Sequence, residues 1–265
     1  MMEIALIPPV SMLEKTLGRK FQMLIPQPLT DPTDWNFYHT IGHRDGYYVM
    51  MDNGMFEKTE VEPKVLVSMA HRFNVQEIVL PDVWSEPSAT TDVIAEFFLK
   101  AGEPPEDFHP VLAAVAHGGT LRDAQAFVDY ISRLPAIDAI HISRSGTYAT
   151  KNYNFRIDLA DWIDEEYPGR FDIHFLGFDD TWHGEVSVAA DIGCVRSLDT
   201  VAPFTAAWAN MKLSPAGPLR ILRPDDYFFR RAEEFPDALV DRNIAYLDFL
   251  AKGEMPSEIS RNLGQ

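Results

Sequence analysis

Residues 192–200 read Ile-Gly-Cys-Val-Arg-Ser-Leu-Asp-Thr, and residues 47–54 read Tyr-Tyr-Val-Met-Met-Asp-Asn-Gly. In each stretch an aspartate, Asp199 or Asp52, follows a short strand-like run and precedes small or turn-forming residues. Barrels of parallel strands present their functional side chains where the strands end. The two stretches therefore predict an α/β barrel with two acids at one mouth. One acid would attack a carbon and the other would move protons.

The composition indicates one sizeable globular domain without disulfides. The chain has 265 residues, of which 46% are hydrophobic and 24% are charged, a size at which single α/β barrels are common. A single cysteine rules out an intramolecular disulfide and a cluster of zinc-binding thiolates. The apolar residues 1–10 are too few for a membrane span and have no basic lead-in, which favours a first strand over a signal peptide. We expect a cytoplasmic protein with no membrane partner.

Apolar runs of strand type alternate with stretches of helical period, a pattern that indicates βα units and a parallel sheet. The predicted strands are Phe21–Ile25, Tyr47–Met51, Glu77–Leu80, Val111–Ala116, Ala139–Ile142, Ile173–Leu176 and Gly193–Leu198. The predicted helices are Val61–Phe73, Thr91–Ala101, Leu121–Leu134, Ile157–Tyr167 and about Pro236–Leu250. A weaker strand at Leu219–Leu222 would close a TIM (β/α)8-type barrel. We expect one domain over residues 1–265, with a catalytic core at 20–213 and a barrel-closing segment at 214–265.

Polar residues and glycines stand where most of these strands end. They are Asp52, Asp82, His117 with Gly118 and Gly119, Ser143, Gly146, Gly177 and Asp199. Since the C-terminal ends of barrel strands build the active site, we expect these groups to converge. One aspartate in such a place is commonly a helix cap or a turn residue. Their repetition along the chain favours a site.

The order and flanks of these groups resemble the tRNA-guanine transglycosylase superfamily. Residues 51–56, Met-Asp-Asn-Gly-Met-Phe, resemble the family's Asp-Ser-Gly-Gly-Phe/Tyr-Gln segment, which carries its acid/base aspartate. Residues 80–82, Leu-Pro-Asp, resemble the strand that ends in its guanine-binding aspartate. Residues 115–119, Val-Ala-His-Gly-Gly, resemble its Val-Gln-Gly-Gly, with histidine in place of glutamine.

The resemblance continues, in order, to about residue 200. Residues 140–143, Ile-His-Ile-Ser, fall where the family has a base-binding Gly-Gly-Leu turn. Residues 175–178, Phe-Leu-Gly-Phe, resemble its Leu-Met-Gly-Val strand. Residues 192–199 resemble the Gly-Ile-Asp-Met-Phe-Asp run that ends at its nucleophile.

Two differences from the superfamily pattern restrict which branch of it this chain resembles. Typical members hold a structural zinc with three cysteines and one histidine after the nucleophile, whereas this chain has only Cys194, before it. We therefore expect no zinc-binding subdomain. The chain is also compact, without an added RNA-binding domain, which fits the DNA-directed branch of the superfamily better. Those phage and bacterial enzymes replace guanine in DNA with a 7-deazaguanine such as preQ0, so a phage-encoded protein would act in the host cytoplasm.

The residues suit this chemistry. Exchange of a base at C1′ passes through an oxocarbenium-like transition state, which a nearby carboxylate stabilises and traps. Asp199 is the expected nucleophile, and Asp52 the general acid/base that protonates guanine and deprotonates the incoming base. Asp82 would accept N1–H and the 2-amino group of guanine, and His117 would donate to O6. Further substrate contacts are expected from Gly118, Gly119, Ser143, Gly177 and Phe56.

A nucleic-acid substrate requires a local basic surface on this acidic chain. The net charge is −17, from 23 Lys and Arg against 40 Asp and Glu, and phosphate contacts supply most of the affinity for nucleic acids. DNA is the expected polymer and tRNA the alternative, and a DNA-opening partner protein would add affinity. The candidate contacts are Arg144, Lys151 and Arg156 in one group and Arg220, Arg223, Arg230 and Arg231 in another. Scattered surface charge is the ordinary meaning of such residues.

Other classes of function stay open. Base exchange on tRNA or on a free nucleoside would use the same residues. A metal-dependent barrel hydrolase would use His141 and His174, although the eight histidines show no HxH or HExxH spacing. We predict no metal and, since base exchange needs no redox group, no cofactor. A noncatalytic subunit is disfavoured because both Asp52 and Asp199 are present.

Overall fold

The computed structural model describes residues 2–55, 61–178, 184–214 and 223–253. The strands in these ranges are β1 (Glu3–Leu6), β2 (Phe21–Leu24), β3 (Tyr48–Met51), β4 (Glu77–Val79), β5 (Val111–Ala116), β6 (Ala139–Ser143), β7 (Asp172–Leu176) and β8 (Val195–Thr200). The α-helices are α1 (Pro32–Gly42), α2 (Pro63–Arg72), α3 (Pro87–Lys100), α4 (Leu121–Ile131), α5 (Ser145–Thr150), α6 (Phe155–Glu166), α7 (Gly184–Ala189), α8 (Ala202–Trp208) and α9 (Asp237–Leu250). Short 3-10 helices span Val10–Thr16, Gln27–Thr30, Tyr227–Phe229 and Ala232–Glu234.

The strands form one parallel sheet in the order β1-β8-β7-β6-β5-β4-β3-β2. Strand β1 pairs with β8, so that Ala5 lies opposite Asp199. The two end strands, β1 and β2, lie side by side, and the sheet is a nearly closed barrel. The fold is therefore the single-domain α/β barrel of TIM type that the alternating pattern predicted. Across the described ranges, no helix combines the length and apolarity that crossing a bilayer requires.

The predicted strands match the observed ones closely at seven positions. The largest difference is at β8, which was expected at Gly193–Leu198 and lies at Val195–Thr200. Asp199 thus lies inside the strand, because pairing with β1 extends the ladder to Thr200. The strand beside β8 that brings the count to eight is β1, within the expected N-terminal strand. The segment Leu219–Leu222 lies outside the described residues.

The helix α1 was not predicted, because its apolar residues have weak periodicity. It begins at a local signal instead. The Asp31 carboxylate accepts a hydrogen bond from the backbone N–H of Thr33 at 2.7 Å, and Pro32 occupies the first helical position. Both features favour a helix start. Helix α4 has the stronger pattern, with Ala124, Phe127, Val128 and Ile131 buried on one face.

A polar cluster fills the barrel interior near the N-terminal ends of the strands, where barrels of this type ordinarily hold branched apolar side chains. Glu77 Oε1 accepts from His141 Nε2 at 2.6 Å, and its Oε2 accepts from the Tyr48 hydroxyl at 2.7 Å and from Arg196. Burial alone would raise the pKa of Glu77. The hydrogen bond from His141 and the charge of Arg196 outweigh it and lower that pKa to about 2. The cluster therefore holds a buried carboxylate in its ionised form.

An irregularity in β8 shapes the barrel interior above this cluster. Ile173 of β7 pairs with Val195, but the next residue, His174, pairs with Ser197. Arg196 is therefore an extra residue in β8, as in a β-bulge. With one residue inserted, Arg196 reaches Glu77 while Ser197 and Asp199 both reach His174.

Candidate active site

The acids and glycines singled out in the sequence lie at one end of the barrel. Asp52, His117 and Gly177 each directly follow a strand, and Asp82 comes three residues after β4. Ser143 is the last residue of β6, and Asp199 is the residue before the last in β8. Because all eight strands are parallel, these positions share the C-terminal end.

Asp199 is nearly buried, with 7% of its surface exposed. Its Oδ1 accepts hydrogen bonds from the backbone N–H of Gly177 at 2.8 Å and from His174 Nε2 at 3.1 Å. Burial lowers the pKa of His174 to about 4, so the imidazole is neutral at pH 7. The contact is therefore a hydrogen bond to a carboxylate, not a closed ion pair. Within the described ranges, no hydrogen bond reaches Oδ2.

The other nitrogen of His174 fixes the ring's proton. Nδ1 lies 2.8 Å from the Ser197 hydroxyl. Since an ionised carboxylate can only accept, the proton of the neutral ring belongs on Nε2, and Ser197 donates to Nδ1. Ser197 and His174 are both fully buried, so water does not compete for these positions. The strand pattern alone did not single out Ser197, because its partner lies on another strand.

The turn at Gly177 is held from beneath. Gly177 has φ +74, a left-handed conformation that favours glycine, and its carbonyl accepts from Arg156 Nη1 at 2.6 Å. Arg156 is itself buried and forms a two-pronged pair with Glu185. The expectation that Arg156 contacts a nucleic acid is therefore wrong. Its guanidinium is paired inside the protein, where it supports the turn whose Gly177 N–H donates to Asp199.

Asp82 is held from both sides. Its Oδ1 accepts from Asn53 Nδ2 at 2.6 Å, and its Oδ2 lies 2.5 Å from His117 Nε2. The Ser145 hydroxyl lies 2.9 Å from the other ring nitrogen, Nδ1, of His117. Both nitrogens of His117 are thus engaged within the protein. In this structure the ring orients Asp82, whereas the sequence suggested a donor to a bound base.

Asp52 is the partly exposed acid of this end. Its backbone N–H donates to the Leu24 carbonyl at 2.9 Å, which extends the β2–β3 ladder. Its Oδ2 accepts from the backbone N–H of Gly54 at 3.0 Å. Gly54 has φ +75. The side chain therefore shapes its own turn, as Asp commonly does, and still presents a carboxylate near solvent.

The remaining predicted contacts differ in their surroundings. A Cβ on Gly118 would lie 2.7 Å from the Thr120 carbonyl oxygen, so this glycine is required for close packing, whereas Gly119 has room. The Ser143 hydroxyl accepts from the backbone N–H of Ser145 at 3.2 Å and shapes the turn into α5. Phe56 lies outside the described residues.

The basic residues named for nucleic-acid binding differ in their surroundings in the part of the chain that the structure describes. Arg144 borders the site, since Nη1 donates to the Phe178 carbonyl at 3.4 Å and the guanidinium lies 5.9 Å from the Tyr148 ring centroid. Lys151 and Arg231 are exposed. Arg230 pairs with Asp226 and Glu234 at 2.9 and 2.8 Å. Its charge is thus locally balanced.

The segment that carries Arg223, Arg230 and Arg231 nevertheless lies near the C-terminal end of the barrel. The Tyr227 hydroxyl donates to the Ile7 carbonyl, directly after β1, at 2.5 Å. The guanidinium of Arg223 lies 5.0 Å from the Phe228 ring centroid. Arg220 lies outside the described residues.

The histidines proposed for a metal hydrolase have other partners. His141 Nε2 contacts Glu77 and His174 Nε2 contacts Asp199, while the two rings lie 4.7 Å apart between centroids. Among the residues that the structure describes, no three His, Cys, Asp or Glu side chains are arranged to hold a metal ion.

Two open clefts among the described residues lie away from these acids. One of about 340 Å³ opens at the N-terminal end, lined by Glu3, Lys20, Phe21, Tyr48, Asp172 and Arg196. Another lies at the surface beside Leu29 and Trp35. The connections after β3 and β7 fall partly outside the described residues. The geometry of the side chains is therefore the stronger guide to the site.

The fold and these side chains define a class, the parallel α/β barrel with acids gathered at the C-terminal strand ends. No family model matches the chain, and no curated protein does either. The assignment of an activity therefore depends on the motifs and on the contacts described above.

Proposed function

We propose that the protein is a pentosyltransferase that exchanges guanine in DNA for a 7-deazaguanine of the preQ0 type. The observation that carries the proposal is the asymmetric environment of Asp199. Two N–H donors hold Oδ1, and in the described ranges no hydrogen bond reaches Oδ2. A neutral histidine and a backbone amide orient the carboxylate without cancelling its charge, which a nucleophile requires.

The reaction would proceed by double displacement. Oδ2 of Asp199 forms a bond to C1′ of the deoxyribose as the bond from C1′ to guanine N9 breaks, and Asp52 gives a proton to the departing base. The incoming 7-deazaguanine then loses its N9 proton to Asp52 and attacks C1′, which releases Asp199. Two inversions retain the configuration at C1′.

Recognition of the base would fall to Asp82. The N1–H and 2-amino groups of guanine are adjacent donors, and a carboxylate accepts both. Each oxygen of Asp82 has one protein donor, Asn53 or His117, and a carboxylate oxygen can accept more than one hydrogen bond. The pair of protein donors would hold Asp82 in a fixed orientation, so that the base meets a rigid acceptor.

DNA is favoured over tRNA because the chain has one cysteine and cannot form the three-cysteine zinc site of the tRNA-directed enzymes, and the basic side chains give DNA limited support. The net charge of −17 makes affinity for a long duplex dependent on a few side chains such as Arg144 and Lys151. A partner protein that opens DNA would fit this weakness.

The test is incorporation of isotope-labelled preQ0 into separate samples of duplex DNA, single-stranded DNA and tRNA, read by mass spectrometry of the digested polymer. We expect label in DNA, and we expect Asp199→Asn to lower the rate by roughly 10⁴-fold or more, because it removes the nucleophile. Asp172→Asn is the matched control, since this carboxylate is exposed at the opposite end of the barrel.

A second measurement looks for the intermediate. When the wild type is given DNA without any deazaguanine and the reaction is stopped by denaturation, the adduct between Asp199 and the sugar should be detected, since Asp52 can protonate the departing guanine and no incoming base is supplied to attack C1′. Label confined to tRNA would transfer the proposal to tRNA. Absence of label from every polymer, with the folded wild-type protein, would refute base exchange on a nucleic acid. A hydrolytic activity that is lost on adding a chelator would favour the hydrolase.

A further inference from the structure

The same chain of three side chains occurs twice at this end of the barrel. In the first, the Ser197 hydroxyl contacts His174 Nδ1 at 2.8 Å, and His174 Nε2 contacts Asp199 at 3.1 Å. Serine, histidine and aspartate come from two adjacent strands, β7 and β8. Ser197 and Asp199 are two residues apart on β8 and therefore face the same ring, beside the β-bulge at Arg196.

The second chain uses other elements. The Ser145 hydroxyl contacts His117 Nδ1 at 2.9 Å, and His117 Nε2 contacts Asp82 at 2.5 Å. These three residues follow β6, β5 and β4. All are nearly buried, between 2% and 7% exposed. In both chains the histidine presents Nε2 to the acid and Nδ1 to the serine.

This orientation decides which ring nitrogen carries a proton. A carboxylate only accepts hydrogen bonds, so a proton must lie on Nε2, and a serine hydroxyl can donate to the lone pair on Nδ1. The other neutral tautomer would set the Nε2 lone pair against the carboxylate. It would also leave Asp199 or Asp82 with one donor fewer.

We propose that Ser197 and Ser145 are positioning residues, which hold His174 and His117 in the form with Nε2 protonated so that each ring donates to its aspartate. The consequence for catalysis rests on the proposed function. Ser197 would act through His174 on the nucleophile Asp199. Ser145 would act through His117 on the base-reading acid, and neither serine touches substrate.

The fold does not itself require a serine hydroxyl at the Nδ1 of each buried histidine. The Nδ1 of His141 is buried without a hydrogen-bond partner in the described part of the chain, although His141 packs against His174 with ring centroids 4.7 Å apart. The barrel interior therefore tolerates an imidazole whose Nδ1 has no hydrogen-bond donor beside it. The two serines stand only where the neighbouring histidine contacts one of the proposed functional acids.

The test is nuclear magnetic resonance of the full chain with ¹⁵N-labelled histidine, which distinguishes protonated from unprotonated ring nitrogens. In the wild type we expect Nε2 protonated in His174 and His117. Ser197→Ala should redistribute the proton in His174 alone, and Ser145→Ala in His117 alone. Ser197→Thr, which keeps the hydroxyl, should restore the wild-type signal. Ser132→Ala is the control, because its hydroxyl donates to a backbone carbonyl in a distant helix end.

Kinetic constants then distinguish the role of Ser197, behind His174 and Asp199, from that of Ser145, behind His117 and Asp82. We expect Ser197→Ala to lower kcat for base exchange about tenfold with little change in KM, since one hydrogen bond behind the nucleophile is lost. Ser145→Ala should raise KM for the incoming base about tenfold with little change in kcat. A serine with only a packing role would not divide its effect in this way.

Several results would overturn the proposal. Unchanged histidine signals in both alanine variants would show that the serines do not set the proton. Covalent labelling of Ser145 by a fluorophosphonate would show that the chain activates a nucleophile, as Ser-His-Asp sets do in hydrolases. If the wild type exchanges no base, the proposed function fails, yet the histidine signals still decide whether the serines fix the rings.

Discussion

Acid should weaken the protein through His174, and the size of the effect follows from its burial. Burial lowers the pKa of His174 from its ordinary 6.5 to about 4. Between these values the unfolded chain takes up a proton that the folded chain refuses. The contribution of His174 to stability is therefore complete above pH 6.5 and is lost as the pH falls towards 4. At about 1.4 kcal/mol for each pH unit, the loss amounts to about 3 kcal/mol.

Glu77 and Asp34 also have shifted pKa values close to this pH range, so the measurement must isolate the contribution of His174 to stability. The contribution of Glu77, whose pKa is about 2 against an ordinary 4.5, is lost at lower pH. Burial raises the pKa of Asp34 to about 7 from 3.8, which works in the opposite direction over nearly the same range. The informative quantity is thus the difference in unfolding free energy between the wild type and His174→Gln.

Urea unfolding followed by circular dichroism at several pH values gives that difference. We expect the wild type to lose about 3 kcal/mol relative to His174→Gln between pH 6.5 and 4. His71→Gln, at a side chain that is 44% exposed, is the control and should leave the slope unchanged. A difference that stays constant across this range would refute the reasoning. His174 would then be charged, and its contact with Asp199 would be an ion pair.

Three further outcomes are expected. Arg196→Met should cost about 3–5 kcal/mol in urea unfolding, because it leaves the buried Glu77 without its cation. The double variant with Glu77→Leu should recover much of that loss, and no recovery would contradict the explanation. Asp34→Asn should stabilise the protein at pH 8 by a few kcal/mol and give no gain below pH 3.8, since the raised pKa of Asp34 penalises only its charged form. Gly42→Ala should lower the melting temperature by on the order of 5 °C or more, because its Cβ would lie 1.8 Å from the Phe73 carbonyl oxygen; an unchanged melting temperature would disprove the close packing.

The barrel was predictable because buried parallel strands leave a strong mark on the sequence. Runs such as Val111–Ala116 are apolar throughout and are separated by helical periods, which together indicate a βα barrel. The mark is weaker where structure depends on pairing partners. The shift of β8 arises from its ladders with β1 and β7, and neither ladder is visible in residues 193–200 alone.

The position of the acids was also predictable, whereas their partners were not. Strand ends are visible in the sequence, so Asp82 and His117 were expected to meet, and they lie in contact. The serine that contacts His117 comes 28 residues later. Only the packed barrel brings it there. The same reason explains Arg156, a predicted surface cation whose partner in the core, Glu185, comes 29 residues later.

The pairing of β1 with β8 also affects how the protein folds during its synthesis. Residues 3–6 leave the ribosome well before their hydrogen-bonding partners, residues 197–200, which are separated from them by more than 190 residues of sequence. Until then β1 exposes an unpaired apolar edge, and contacts so distant in sequence form slowly. The nascent chain is expected to need protection from aggregation over that interval, so deleting β1 should alter folding yield more than its four residues suggest.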